Sequence, residues 1–288
     1  MAGMALCEPR HLYNVLNQRR RFPRLAEPRY LCLLDARTQR EYNESHIITA
    51  RRIEQSPTGE YLVPDSEELG CVRYCVVYDC KTKTKRGIKD QDKSFLISLD
   101  AEEGAAVQYA RSLQQFTRHP VLVLKGGYKR FSACYPFLRT QKILWMPQEL
   151  DNFQPYPVEI LPAKLYMGNF EQACDQQIQK DLKIKAQVNI SEQFAEGSKY
   201  LHISVPDSLE ANLFSSFATI CHFIGELVLD RIQIPNTSLL SFCLQRAWDY
   251  VLKCKTNMRP HRAFVKQLSD WETQIYGTTI TDISEPNY

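Results

Sequence analysis

The amino-acid sequence predicts an α/β fold with two domains. Residues 30–34, 75–79 and 121–124 form short apolar runs, each with the length of a buried parallel strand. Residues 102–118 lie between the second and third runs and repeat apolar side chains at helical spacing. Strands that alternate with helices indicate a parallel sheet, and a chain of 288 residues is long enough for two such domains.

Composition and charge argue against several classes of protein. The 36 basic and 33 acidic residues leave a net charge of +3, which is too weak a bias to indicate a nucleic-acid partner. No apolar run approaches the ~20 residues that a membrane-spanning helix needs. Ten cysteines without a secretory signal peptide indicate free thiols in a reducing cytoplasm. Cys71 and Cys75 lack a second pair of ligands at zinc-site spacing, so we expect no metal and no cofactor.

The first 24 residues have two interpretations. Leu12, Val15 and Leu16 repeat at 3.6-residue spacing and predict an amphipathic helix. The same segment is rich in arginine and poor in acidic residues, as mitochondrial targeting segments are. We favour the helix and a cytoplasmic protein, with mitochondrial association as the alternative.

The N-terminal half carries motifs of a known domain. They are residues 33–37 (LLDAR), a predicted short polar helix at residues 38–44 followed by SHI at residues 45–47, and residues 123–128 (VLKGGY), whose glycines relieve a tight strand-to-helix turn. Together these motifs resemble the non-catalytic rhodanese-like domain at the N-terminus of MAP-kinase phosphatases. The resemblance implies a rhodanese-like domain over residues 8–145, in which Asp35 and Arg37 are structural and Asp35 bonds the following turn.

A sulfurtransferase of this fold holds a reactive cysteine in the loop where Cys80 stands. Arg86 follows six positions later, and nearby cations would favour a reactive thiol. However, the loop has no glycine between Cys80 and Arg86 to let the backbone wrap closely around an anion. A lysine- and threonine-rich stretch of this kind is typical of a solvated surface loop. We interpret the loop as a decoy, with an anion-binding active site as the alternative.

The pair Arg51-Arg52 is the candidate for partner binding. MAP-kinase phosphatases dock the acidic groove of their kinase through a basic cluster in this domain, and the pair is its nearest match here. It lacks the longer basic-and-aliphatic motif, so a solvated rim is the alternative interpretation.

The second half follows a linker at residues 146–157, which is rich in proline and polar groups. Its predicted strands, at residues 157–161, 164–169, 186–191 and 200–203, and its last two helices resemble a dual-specificity phosphatase domain. The resemblance implies such a domain over residues 158–275, followed by a polar tail at residues 276–288. Asp207 stands where a phosphatase has its general acid, but without a nucleophile we interpret it as a helix or turn cap.

Residues 221–243 do not supply the active-site loop of a phosphatase. Such an enzyme needs a strand, a Cys-x5-Arg loop and a helix, which take about 30 residues. The cysteines of this half are followed six positions later by the wrong residues: Cys174 by Lys180, Cys221 by Leu227, Cys243 by Asp249 and Cys254 by Pro260. Residues 227–229 could begin a strand, but Asp230 and Arg231 interrupt it. We therefore expect an incomplete, loosely packed phosphatase-like domain, as a shortened form of a longer protein would have.

The complete pattern, including the linker at residues 145–150, resembles the serine/threonine/tyrosine-interacting-like pseudophosphatases. That resemblance implies a catalytically inactive protein that acts by binding. We expect an adaptor or regulator in phosphorylation signalling, with MAP kinases, or phosphatases and their substrates, as partners. The alternatives are a sulfurtransferase or phosphatase that uses Cys80 and Arg86, and a non-functional shortened isoform.

Overall fold

The computed structural model describes residues 3–57, 61–82, 104–144, 147–151, 153–194, 199–229 and 243–284. The chain divides into two compact units, Met1–Pro155 and Tyr156–Tyr288. Arg86, and Asp230 with Arg231, lie outside the described residues, so what the sequence predicts for them stays a prediction. Within the described ranges, no helix is long and apolar enough to cross a membrane.

Strands and helices alternate in the first unit, which confirms the predicted α/β class. Its elements are β1 (Met4–Cys7), α1 (Pro9–Leu16), β2 (Leu31–Asp35), α2 (Gln39–Glu44), β3 (His46–Ile47), β4 (Arg51–Arg52), α3 (Ser66–Cys71), β5 (Tyr74–Tyr78), α4 (Ala105–Leu113), β6 (Val121–Leu124), α5 (Gly127–Cys134), β7 (Arg139–Thr140) and α6 (Pro147–Asp151). Short 3-10 turns lie at Arg24–Ala26 and Pro136–Leu138. The predicted linker thus begins with a helical turn, α6, whose first residue is a proline, a position where its missing N–H costs nothing.

The core of the first unit is a five-stranded sheet in the order β1-β6-β5-β2-β4, and every neighbouring pair is parallel. Alternate residues of a strand face opposite sides of a sheet. Val77 and Val123 pack on one side with Ala110 and Leu113 of α4. The central strand β5 is buried along four of its five residues, as a two-sided parallel strand must be.

The N-terminal segment belongs to this fold. Leu12, Val15 and Leu16 are buried on α1, which confirms the predicted helix. The sequence analysis missed β1, which adds an edge strand by pairing Met4 with Val121. The strand has only four residues, and an apolar run this short does not by itself distinguish a strand from part of a helix.

The second unit contains the four predicted strands and the last two predicted helices. Its elements are β8 (Val158–Leu161), β9 (Leu165–Met167), α7 (Phe170–Cys174), α8 (Gln176–Leu182), β10 (Gln187–Ile190), β11 (Tyr200–Ile203), α9 (Phe214–Leu229), α10 (Leu244–Cys254) and α11 (Arg262–Tyr276). The strands form two separate ribbons among the described residues, an antiparallel β8-β9 pair and a parallel β10-β11 pair.

The sequence predicts a helix at residues 213–224 with Cys221 facing inward, and residues 227–229 as a possible start of a strand. The structure of α9 corrects both expectations. The helix continues through Gly225 to Leu229 instead of giving way to a strand after Ile224, because Glu226 and Leu227 are good helix formers. Cys221 was expected to face inward, but it is exposed. It therefore lies on the solvent side of an amphipathic helix whose inward side carries Phe217.

The C-terminal tail is anchored to the second unit. Thr281 is buried, and its hydroxyl and backbone N–H both donate to the carboxylate of Glu272 at 2.8 Å. The same carboxylate accepts from the backbone N–H of Leu244 at 2.6 Å, at the start of α10. Glu272 therefore joins α11, α10 and residues 280–281.

Candidate partner-binding site

A buried ion pair fixes the loop that follows β2. The guanidinium of Arg37 donates from Nη2 to Asp35 Oδ2 at 2.6 Å, and its backbone N–H donates to Oδ1 at 2.9 Å. Tyr78 completes the cluster by donating its hydroxyl to Asp35 Oδ2 at 2.8 Å. Asp35 is fully buried, so these bonds are what make its charge tolerable there. The predicted structural role of Asp35 and Arg37, with Asp35 bonding the following turn, is what this geometry shows.

The electrostatics of this cluster fit a structural role. Burial raises the pKa of the Tyr78 hydroxyl well above its ordinary value, and the neighbouring Asp35 charge adds to that rise. Burial opposes the charge of Arg37, but the hydrogen bonds and charge of Asp35 outweigh it and raise the pKa of Arg37. Tyr78 therefore stays neutral and Arg37 stays charged at neutral pH. Neither group is poised to transfer a proton.

Cys80 follows β5 in the chain, and in the structure its backbone lies against the first turn of α5. The carbonyls of Asp79 and Cys80 accept from the backbone N–H groups of Tyr128 and Lys129 at 2.8 and 3.1 Å. These N–H groups belong to the first turn of α5, where an anion would otherwise bind. Gly127 permits this close approach: a Cβ there would lie 2.4 Å from the carbonyl oxygen of Asp79. The loop backbone thus occupies the helix N-terminus.

The side chain beside Cys80 is acidic. Hydrogen bonds from Thr38, with smaller contributions from the Arg37 charge and a bond to Cys80, lower the pKa of Glu41. Cys80 itself is half-buried. Because Arg86 lies outside the described residues, the structure does not bring this predicted pair together.

Arg51 and Arg52 form β4, the edge strand of the sheet next to β2. Arg51 is exposed and reaches Glu68 at 3.4 Å, in an ion pair that solvent also reaches. Arg52 is half-buried and donates from Nη1 to the carbonyl of Ile53 at 3.1 Å. An edge strand offers unpaired backbone groups as well as its side chains.

An open groove borders this strand. Leu34, Ala50, Ile53 and Tyr109 contribute buried apolar surface to it. Its apolar lining also includes Leu62, Val63 and Ile143, which are 47%, 37% and 47% exposed. Sequence reasoning missed these residues because they come from segments far from the arginines in the chain. The sequence offered one signal for this groove, the apolar pair Leu62-Val63, which stands outside any predicted helix or strand.

The structure places the four cysteines of the second unit in helices or directly beside them. Cys174 ends α7, Cys221 lies within α9, Cys243 directly precedes α10 and Cys254 ends α10. Asp207 is exposed in the loop after β11, and no hydrogen bond joins its carboxylate to a described residue. Its predicted role as a cap therefore stays a prediction.

Comparison with known proteins supports the two-part architecture predicted from the sequence. Residues 23–134 match the model of the rhodanese-like domain. The human dual specificity protein phosphatase 4 is 25% identical, with 81% of this chain and 68% of that protein covered. The human dual specificity protein phosphatase 1 is 26% identical, with 84% and 78% covered. A probable rhodanese domain-containing dual specificity protein phosphatase of Dictyostelium discoideum is 24% identical over 64% of this chain and 44% of that protein.

These similarities agree with the architecture. The matched rhodanese region contains β2, β4, β5 and β6 of the parallel sheet, and the similarity to the phosphatases continues across the linker into the second unit. The chain thus carries an N-terminal rhodanese-like domain followed by an α/β region homologous to the rhodanese-containing dual-specificity phosphatases.

Proposed function

We propose that this protein is a catalytically inactive pseudophosphatase that acts as a binding adaptor in MAP-kinase-type phosphorylation signalling. The observation that carries the proposal is the strand Arg51–Arg52 beside the apolar groove of the first unit. Two fixed cations next to apolar surface suit a partner segment that combines acidic and aliphatic side chains.

The arginines can exchange their present contacts for a partner at small cost. The exposed Arg51–Glu68 pair at 3.4 Å contributes on the order of 0–1 kcal/mol, as surface ion pairs do. Leu62, Val63 and Ile143 form an exposed apolar rim, and their removal from water by a partner would stabilise the complex. Electrostatic attraction would therefore guide association, and burial of the rim would slow dissociation.

Three observations support catalytic inactivity. In the second half, Cys174, Cys221, Cys243 and Cys254 all lack an arginine six positions later. In the first half, the loop backbone at Cys80 occupies the N–H groups of the α5 N-terminus. The neighbour of Cys80 is the carboxylate of Glu41, which does not attract an anionic substrate.

Binding to a purified MAP kinase tests the adaptor proposal. We expect the full chain to bind at low salt, and the double substitution Arg51→Glu with Arg52→Glu to weaken binding at least tenfold. The matched control is Arg40→Glu, which reverses one exposed arginine on α2 and should change the Kd less than twofold. Equal binding by the double variant and the wild type would show that Arg51 and Arg52 are not part of the interface. Far-UV circular dichroism checks that each variant folds.

Turnover of p-nitrophenyl phosphate and of thiosulfate tests inactivity. We expect no turnover above the buffer rate by the wild type, and none by Cys80→Ser. The control Cys134→Ser changes an exposed thiol of the same unit. Turnover that disappears in Cys80→Ser and persists in Cys134→Ser would make the Cys80 loop an active site and overturn this part of the proposal.

A further inference from the structure

The amino ends of the parallel strands in the first unit carry exposed arginines. Arg73 directly precedes β5, and Arg29 and Arg118 stand two and three positions before β2 and β6. Because β2, β5 and β6 run parallel, the residues before them meet at one edge of the sheet. The backbone N–H of Arg73 donates to the carbonyl of Arg29 at 2.9 Å, and all three arginines are exposed. This edge therefore presents three positive charges to solvent.

A tight loop after α1 brings two more arginines to the same edge. β1 and β2 are parallel strands of one sheet, so the chain between them returns to the amino edge before β2 begins. The Tyr30 hydroxyl, directly before β2, donates to the carbonyl of Val15 near the end of α1 at 2.9 Å. In the loop, the backbone N–H of Arg20 donates to the carbonyl of Phe22 at 3.1 Å. Arg20 and Arg21 are exposed, and Phe22 is 61% exposed.

This surface, which we call the basic edge, carries a net positive charge. It consists of Arg20, Arg21, Phe22, Arg29, Arg73 and Arg118. Among the described residues, no carboxylate forms an ion pair with any of its arginines. The carboxylate of Glu27, between the loop and β2, is bonded instead to Arg24 at 2.9 Å. The helical turn α6 packs against residues 24–26 and adds one further acidic side chain, Glu149.

Phe22 gives the basic edge an apolar point among its charges. The guanidinium carbon of Arg21 lies 5.7 Å from the centroid of the Phe22 ring. At an anionic membrane, such a ring enters the boundary between headgroups and acyl chains, and neighbouring arginines attract the lipid phosphates. A single-stranded nucleic acid requires a series of exposed rings on which successive bases stack. Among the described residues of the first unit, Phe22 is the one exposed Phe, Tyr or Trp residue, which favours a membrane.

We propose that the basic edge docks the protein on an anionic membrane surface. Its arginines contact lipid phosphates, and Phe22 enters the interface between headgroups and acyl chains. Because the arginines come from the loop at residues 19–23 and from the ends of three strands, they form a broad front and not a single anion pocket. A lipid surface offers many headgroups to such a front, and each arginine near it adds to the attraction.

The basic edge and the groove of the proposed function lie at opposite ends of the sheet. Arg51 and Arg52 pair with Leu34 and Asp35, the last two residues of β2, and so stand at its carboxyl end. A chain held on a membrane by the basic edge would therefore leave the groove accessible to a protein partner. The two surfaces use different residues, so one can bind while the other does not.

Flotation of the full chain with lipid vesicles tests this docking. One set of vesicles is phosphatidylcholine, and the other replaces about one third of it with phosphatidylserine. We expect binding to the phosphatidylserine vesicles to be at least tenfold tighter, and to weaken as salt screens the arginines. This comparison uses the wild-type protein, so it does not depend on the folding of a variant.

Two double variants and one fluorescent variant locate the contact. Arg20→Glu with Arg21→Glu should weaken binding to phosphatidylserine vesicles at least tenfold. Arg40→Glu with Arg139→Glu makes the same change of charge at exposed arginines on α2 and β7, and should leave the Kd within twofold. Phe22→Trp places a fluorophore in the loop, and vesicles with brominated acyl chains should quench its emission more than that of the wild type. Far-UV circular dichroism compares the folds of all variants.

Other outcomes overturn the proposal. Equal affinity for the two kinds of vesicle, or equal losses in the two double variants, would show that the basic edge does not recognise an anionic membrane. No extra quenching in Phe22→Trp would show that this residue stays outside the interface. Tighter binding of a single-stranded oligonucleotide than of phosphatidylserine vesicles, lost in Arg20→Glu with Arg21→Glu, would make nucleic acid the ligand. Kinase binding should be unchanged in that double variant, which separates this docking from the proposed function.

Discussion

The two units use the same kinds of element but differ in how well their sheets are filled. In the first unit, β5 has neighbours on both sides and is buried along four of its five residues. In the second, β10 has one partner among the described residues, and none of its residues is buried. A parallel strand gains stability from neighbours and from layers on both faces, so the difference follows from the sheet and not from local sequence. The predictions below test this difference between the two units.

The largest effect should come from Asp35→Ala in the first unit. The substitution leaves the guanidinium of Arg37 buried without its partner and removes the acceptor of the Tyr78 hydroxyl. Breaking a buried pair in this way costs about 3–5 kcal/mol. Hydrogen exchange of the β5 amides, followed in urea, should show the loss in the first unit and not in the second.

The control for this substitution is Glu44→Ala. Glu44 pairs with Arg40 at 3.1 Å, but both side chains are mostly exposed. The pair should contribute only about 0.3–0.5 kcal/mol. If both substitutions cost the same, the Asp35–Arg37 pair would not be the structural centre that its burial indicates.

Two leucines compare the sheets directly. Leu33 in β2 is 1% exposed, whereas Leu201 in β11 is half-buried. Leu33→Ala should lower the free energy of unfolding by about 2–5 kcal/mol, because it removes packed atoms and leaves a cavity. Leu201→Ala should cost about 1 kcal/mol, because much of the side chain is already in contact with water.

Urea denaturation followed by hydrogen exchange in each unit measures both costs. Equal losses would mean that β11 is as buried in solution as β2. That result would contradict the difference in burial between the two sheets.

The sequence predicted the elements that local patterns encode. The apolar runs predicted β2, β5, β6 and the four strands of the second unit, and the LLDAR motif predicted the roles of Asp35 and Arg37. It did not predict the end of α9, because the apolar run at residues 227–229 is compatible with a helix or a strand. Periodicity cannot choose between them over so few residues.

The candidate sites were predictable only in part. Arg51 and Arg52 stand next to each other in the sequence, so their cluster was visible, but the groove also needs Leu62 and Ile143 from distant segments. The hydrogen bonds that Glu272 accepts from Leu244 and Thr281 join residues that are 28 and 9 positions apart in the chain. Such contacts depend on tertiary packing, which a linear pattern does not contain.

Acid pH should loosen the second unit through Glu272. Burial raises the pKa of this carboxyl, but hydrogen bonds from Leu244, Thr281 and Ile280 outweigh that effect and lower it from its ordinary value of 4.5. A carboxyl with a lowered folded-state pKa contributes stability that is complete above the unfolded value and is lost as pH falls through the folded value. We therefore expect the second unit to lose stability below about pH 4.5. Fluorescence of Trp271, which contacts Phe214, should report the change.

Glu272→Gln should remove that pH dependence. The amide offers one oxygen where the carboxylate accepts with two, and its NH2 group faces N–H donors. The expected cost at pH 7 is about 1–3 kcal/mol. Asp270→Asn, which changes an exposed carboxyl on α11, should leave both the stability and the acid transition unchanged. An acid transition that persists unaltered in Glu272→Gln would assign it to another group.

The smallest effects should be equal in the two units, because they come from the same local structure. Thr38 caps α2 in the first unit and Asn169 caps α7 in the second, and each forms a reciprocal capping box with the residue three positions later. Thr38→Ala and Asn169→Ala should each cost about 1 kcal/mol, since each leaves one helix N–H without its acceptor.

Urea denaturation, read from hydrogen exchange in each unit, measures these costs. Equal losses would mean that local helix signals act equally in both units, so that the lower burial of β10 follows from its sheet and not from local sequence. If Asn169→Ala had no effect while Thr38→Ala cost the expected amount, α7 would not belong to a cooperatively folded unit. The non-functional shortened form would then become the better account of the second unit.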